Sequence, residues 1–586
     1  MSKKKFLPLL LVLALGLGAC GNKTEEAPED NTEQTVDAGE MDNKDDNQPD
    51  AEAPAIEGNS DQKEAGEKDA EQYLNTFYVE EPTTLNSALN SDASSWELLK
   101  NLMEPLVRNV ENVETGELTA EPAAAESWEV SEDGLTWTFK IREGMKWSDG
   151  DPVTAKDYEF GIRTALDSTT GAGGMGWLLD VLEGYDENGG DNAKESVTAT
   201  DDYTLEFKLK TPTPFFLQLA STRPTLPIKQ SAYEEFGDKY GAEAANFVGN
   251  GPFIITDWVH QTEVKLEKNP EYWDADNVYF ENVNWRIINE EATMMNAFQT
   301  GEIDSVSTNK AEYQAQFAAK PDVLHHKVNR PAVDFMFFNT EKAPYDNAKV
   351  RLAFSLALDR EEAILGAYNE VGIPGYGFVM HGINTDQGEE YRSVVEGPIK
   401  ALQEKYPDPK ALLEEGLAEA GMTLDEFQAN LDFGGVNEDT KKTGDYLINS
   451  FQEKLGITIN VNMNEWAAFN DQIQNGSFDI GYMAWFADFN DPYHMLSLML
   501  SGNDGVHTGW ENKEYDKLVE EGLMSKDPAE RLKKYEEAET LLSEEAPVIP
   551  IIYGERNSFI YDYLYGWQLS EFSTQGMKYQ FTSGRE

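Results

Sequence analysis

Ser127-Trp128-Glu129-Val130, then Asp133-Gly134-Leu135-Thr136-Trp137-Thr138-Phe139-Lys140-Ile141, is the stretch on which the fold turns. Large apolar and polar residues alternate on both sides of an Asp-Gly pair, the pattern of an antiparallel hairpin with one buried face. Just beyond it, Thr154-Ala155-Lys156-Asp157 reads as a capping box opening a helix to about Leu166. Upstream, Tyr73-Leu74-Asn75-Thr76-Phe77-Tyr78-Val79 predicts a strand ended by Pro82. Residues 95–107 have helical spacing, with Trp96, Leu99, Leu102 and Met103 on one face. Downstream, 197–209 predicts a strand with Leu205, Phe207 and Leu209 alternating, and 253–266 predicts two more. The second half predicts one long helix over 347–368, a helix over 410–420 stopping at Gly421, and an amphipathic helix over 528–543. Residues 456–463 alternate most cleanly, whereas 478–487 are apolar on both faces and so predict a central strand. No fixed period repeats, so the chain reads as mixed α/β.

With 586 residues, 12 Trp, 25 Tyr and 28 Phe, the chain can fill two or three lobes and still line a large pocket. Its formal net charge is −61, and residues 21–70 alone carry 17 acids against 4 bases. This excludes the basic footprint that nucleic acid or anionic lipid would need. It leaves two readings open: mutual repulsion that aids solubility, and a bias towards cationic ligands. Motifs for phosphate loops, zinc proteases and serine hydrolases are absent. Of the six histidines only His325-His326 are adjacent, and in a strand they point apart, so no metal site is expected. The polar turn at 186–192 has only a weak calcium-loop character. A carboxylate pair of glycosidase type cannot be picked out among 108 acids, so a surface hydrolase stays open as a rival reading.

The N-terminus reads Lys3-Lys4-Lys5, an apolar run over 6–17, then Leu17-Gly18-Ala19-Cys20. A basic front and a short apolar stretch make an export signal over 1–19. Leu-Gly-Ala-Cys resembles the bacterial lipobox, which implies that Cys20, the chain's single cysteine, receives a diacylglyceryl group. Two or three acyl chains hold a protein on a bilayer stably. Residues 20–70, rich in Glu, Asp, Asn, Ala and Pro, then form a disordered acidic tether that could reach on the order of 150 Å. The expected location is the extracellular face of the cell membrane of a Gram-positive bacterium.

A longer series of blocks follows the hairpin. Lys146-Trp147-Ser148-Asp149-Gly150-Asp151-Pro152-Val153-Thr154 is followed by Gly249-Asn250-Gly251-Pro252-Phe253, Asn269-Pro270-Glu271-Tyr272-Trp273 and Gly301-Glu302-Ile303-Asp304. Phe338-Asn339-Thr340, Lys349-Val350-Arg351-Leu352-Ala353 and Trp485-Phe486-Ala487-Asp488 complete it. The series resembles the oligopeptide- and dipeptide-binding proteins of ABC importers, solute-binding protein family 5. The resemblance implies a two-lobed periplasmic-binding-protein-like α/β fold of the class II type, with an inserted subdomain and central mixed sheets. Lobe I would comprise 71–93, 219–333 and 556–586, the inserted subdomain 94–218, and lobe II 334–555.

It further implies capture of a peptide between closing lobes, delivery to an ABC permease with its ATPase subunits, a monomeric state, no enzymatic activity and no cofactor. Asp488 matches the aspartate that receives the peptide amine; the alternative is a cap for a helix after Pro492. Trp485 and Trp466 match cleft aromatics, and Phe160 falls where some relatives carry tyrosine. Segments 79–83, with Glu80 and Glu81, and 482–486, with Tyr482 and Phe486, are expected to flank the peptide backbone. Basic residues that hold the peptide C-terminus in some relatives are absent from Gln472-Ile473-Gln474-Asn475 and Gly481-Tyr482. The same fold can also carry a nickel chelate, haem, an opine or an oligosaccharide, or serve as a peptide-signal sensor or adhesin.

Overall fold

The computed structural model describes residues 62–112, 118–171, 174–186, 189–502 and 505–585. The signal, Cys20 and most of the tether lie outside the described residues. The opening hairpin forms from Ala125–Val130 and Thr136–Ile141, with Trp128 opposite Phe139. Gly134 takes φ +80° at the turn, a conformation that suits glycine. Thr204–Lys208 and Val197–Asp201 extend the hairpin to a four-stranded antiparallel sheet. On its buried face Phe207 meets Phe139 at 5.5 Å and Phe216 at 5.2 Å between ring centres. The helix Ala155–Leu166 begins at the predicted Thr154/Asp157 capping box.

A second four-stranded sheet has the order Tyr73–Tyr78, Asn282–Ile287, Glu263–Lys268, Phe253–Val259. One apolar core runs continuously between these two sheets. A third, mixed sheet has the order Ser305–Ser307, Val548–Tyr561, Val323–Phe338, Ile480–Phe486, Gln428–Gly434, Thr458–Asn464. Ile480–Phe486 is central, as its apolar character predicts, and Thr458–Asn464 lies at the edge of the sheet.

The two longest strands, of 16 and 14 residues, tie the molecule together. Their antiparallel ladder shifts register between Asn329 and Val333. Pro331 lies in that gap, and a residue without an N–H cannot continue a ladder. Val323 and Phe559, on one side of the break, belong to a core with Phe298 and Phe317. Val333, Phe335 and Phe337, on the other side, join a different core with Phe378 and Tyr553.

Several predicted boundaries move. The helix expected over 95–107 is Ala93–Leu102; Met103 is extended, and Pro105 steers the chain into the strand Val107–Glu111. The helix expected over 347–368 is two, Ala348–Ala357 and Arg360–Ala367, because Asp359 turns extended and caps the second through the Glu362 N–H at 2.9 Å. The strand expected over 197–209 is a hairpin of two. Order begins before residue 71: the Asp69 N–H donates to the Thr582 carbonyl at 3.0 Å and its carboxylate accepts from the Gly584 N–H at 2.7 Å. The last residues assigned to the tether therefore pack against the C-terminal segment.

Candidate functional site

Ile480–Phe486 pairs along its whole length with the strand carrying 332–338. On its other side only Ile480, Gly481 and Tyr482 are paired, to Leu431, Asp432 and Phe433. Residues 483–486 therefore leave one edge without a strand partner among the described residues. An extended peptide adds to such an edge through main-chain hydrogen bonds.

Beyond this strand the backbone is pinned by one imidazole. His494 Nε2 accepts from the Trp485 indole N–H at 3.2 Å and from the Asp488 N–H at 3.4 Å. Burial pushes the His494 pKa down to about 3, so the ring is neutral. Its 3.6 Å approach to Asp488 Oδ2 is thus not an ion pair. Asp491, not Asp488, caps the helix Pro492–Ser497, accepting from the Tyr493 N–H at 2.8 Å and pairing with Arg531 at 2.8 Å. The capping alternative for Asp488 is thereby removed.

Asp488 lines a cavity of about 270 Å³ with Trp96, Arg223, Arg330, Phe486 and Phe489. Its side chain is 22 % exposed. It accepts no hydrogen bond from the described residues. Burial pushes its pKa up to about 6, opposed by the Arg223 charge. The cavity's Glu97, Glu571 and Arg330 each have an ion-pair partner: Glu97 holds Lys100 at 2.6 Å, while Glu571 accepts from Arg330 at 3.2 Å and from Arg556 at 2.7 Å. Arg330 also lies over the Phe486 ring at 4.8 Å. A neighbouring cavity of about 310 Å³ shares Glu97 and Glu571 and reaches the Tyr78–Trp285 stack. A third, of about 330 Å³, shares Leu178 and Phe489 and has Trp177, Trp485 and Tyr493 in its walls. Across the site, Gln218 and Asn490 exchange two hydrogen bonds, of 3.0 and 2.7 Å, and Phe215 stacks on Phe489 at 4.4 Å.

Of the predicted residues, Asp488 and Phe486 meet at the first cavity and Trp485 lines the third. The others are elsewhere. The Tyr482 hydroxyl is engaged by Asp334 at 2.8 Å and Tyr368 at 2.6 Å, and its ring stacks on Phe433. Trp466 starts its helix 57 % exposed, against Phe469. Glu81 accepts from the Trp258 indole at 2.9 Å and lies 2.6 Å from His260 Nδ1, and Glu80 is exposed in the bend after the first strand. The Thr83 N–H is taken by Ser95 Oγ, so 79–83 does not present a free strand edge there. Phe160 packs on Tyr233 in a small separate core. Sequence reasoning missed Arg223, Gln218 and the positioning histidine, His494. Arg223 and Gln218 come from a segment remote in sequence, and no local motif marks them.

A cavity with aromatic walls beside an unpaired strand edge is an arrangement that can take an extended ligand. A sequence model of the bacterial extracellular solute-binding proteins, family 5, matches residues 119–506. The chain belongs to that family. It is 33 % identical over 500 residues to the dipeptide-binding protein DppE of Bacillus subtilis, covering 85 % of this chain and 89 % of that one. It is 30 % identical over 487 residues to the oligopeptide-binding protein OppA of the same organism, covering 82 % and 87 %. The crystal structure of the substrate-binding domain of an oligopeptide ABC transporter from Bacillus anthracis superposes with TM-score 0.70 at 27 % identity, covering 88 % of this chain and all of that one. The fold is accordingly the two-lobed one of these proteins. Among the described residues no helix is long and apolar enough to cross a membrane.

Proposed function

We propose that this protein captures oligopeptides outside the cell, held to the membrane by a lipid on Cys20, and delivers them to an ABC-type importer. The observation that carries this reading is Asp488: a largely buried carboxylate that has no donor among the described residues, in a cavity between aromatic walls, beside a strand edge that none of them pairs. A peptide α-ammonium supplies the missing donors. Charge-assisted hydrogen bonds of this kind contribute about 1.5–3 kcal/mol each. Residues 483–486 then take the peptide backbone, Phe486 forms a wall of the amine site, and Trp485 walls the adjoining side-chain pocket. The lobes divide near 333/334 and 555/556, a division supported by the broken ladder at Pro331. Ligand touching both lobes favours their closed arrangement. The peptide reading is also consistent with what the DppE and OppA relatives are named for binding.

Isothermal calorimetry with short free-amino peptides tests it. Asp488→Asn should weaken binding at least tenfold, and N-acetylation of the peptide should weaken wild-type binding by a similar factor. Equal affinity for free and acetylated peptides would remove Asp488 from the amine site.

A further inference from the structure

Among the charged residues lining the Asp488 cavity, Asp488 and Arg223 alone have no ion pair with a cation or anion among the described residues. Glu97 is paired with Lys100, and Glu571 with both Arg330 and Arg556. Asp92 is spent on capping its helix, accepting from the Ser95 N–H at 2.8 Å, and on the Thr83 hydroxyl. The remaining cation is Arg223. Its guanidinium lies 5.2 Å from the Trp96 ring centre and lines the cavity. It makes no hydrogen bond or ion pair with the described residues, and it stands more than 4.0 Å from the Asp488 carboxylate while feeling its charge. A partly desolvated guanidinium presents a planar fork of donors suited to a carboxylate.

We infer that Arg223 selects peptides whose first residue is acidic, binding its side-chain carboxylate while Asp488 holds the α-ammonium. The inference rests on the proposed capture of peptides at Asp488. The two free charges have opposite sign and share one cavity, so an N-terminal Asp or Glu neutralises both with a single residue. A neutral first residue leaves the guanidinium without a partner, and an unmet buried charge costs more than an unmet neutral group. Arg223 and Asp488 lie on the two segments that the Gln218–Asn490 pair joins.

The test compares Glu-Ala-Ala-Ala with Gln-Ala-Ala-Ala by calorimetry, on wild type and on Arg223→Gln. Wild type should prefer the Glu peptide at least tenfold, and Arg223→Gln should abolish that preference while still binding the Gln peptide. A circular-dichroism melt confirms that the variant is folded, and Arg223→Lys, which keeps the charge, should retain part of the preference. Equal wild-type affinity for the two peptides, or a preference that survives Arg223→Gln, overturns the role of Arg223 and leaves the amine site standing. Failure of wild type to bind any free-amino peptide overturns the peptide reading and this inference with it.

Discussion

Under the proposed function, Asp488 makes opposite demands on stability and on binding, and pH separates them. Its carboxyl titrates near 6 in the folded protein against 3.8 in a reference state, chiefly because burial disfavours the charge. The unliganded fold therefore gains proton affinity at this group. That stabilising contribution is full below the unfolded value and is lost as pH rises through the folded one. At pH 7.5 unliganded Asp488→Asn should be more stable than wild type, by at most about 3 kcal/mol, and the two should converge near pH 4. Thermal melts at both pH values check this; identical melting behaviour at pH 7.5 would rule out a buried charge. At the proposed amine site binding runs the other way, since an ammonium needs the ionised carboxylate. Affinity should fall towards tenfold per pH unit below about 6 and again above the α-amine range near 8. Asp488 was legible in the sequence because it sits in a compact motif, Trp485-Phe486-Ala487-Asp488. The other unpaired charge of the cavity was not: Arg223 lies in Thr222-Arg223-Pro224, where nothing local distinguishes a cavity-lining guanidinium from a surface one.

Elements whose apolar period is unbroken were read correctly, and those ended by a backbone device were read too long. The Asp133-Gly134 hairpin and the capping box at Thr154 are local, so their geometry follows from neighbouring residues alone. The split at Asp359 depends on one carboxylate turning back to its own helix, which competes with an otherwise continuous helical pattern. Contacts between elements are less visible still. Gly161 shows this: a Cβ there would lie 2.3 Å from the Leu226 carbonyl, so the helix Ala155–Leu166 approaches a neighbouring backbone with no room to spare. Gly161→Ala should cost about 1–3 kcal/mol, measured by urea unfolding. An unchanged midpoint would mean that this close approach relaxes freely.

At the scale of the whole molecule, the predicted two-lobed α/β architecture is the observed one, because family blocks spread along the chain fix it. Which residues of the cleft face one another depends on lobes folded from distant segments, and the sequence does not order those. The acidic composition, at −61, is consistent with a protein kept apart from its neighbours by repulsion. Under the proposed anchoring, mass spectrometry of membrane-extracted protein should find diacylglycerol on Cys20, and Cys20→Ala should release the protein into the medium. Retention of the Cys20→Ala variant at the membrane would assign the attachment to something else.

The seam between residues 62–70 and the C-terminal segment carries a mechanical consequence. Gln62 donates to the Leu564 carbonyl at 2.7 Å, and Asp69 is stitched to 582–585 by several hydrogen bonds. If the chain is anchored as proposed, a pull along the leash would be borne at this seam by the part that contains the C-terminal segment, and not by the two long strands. Under the proposed anchoring and lobe division, that part would be the fixed post over the bilayer and the half bearing Asp488 the leaf that swings.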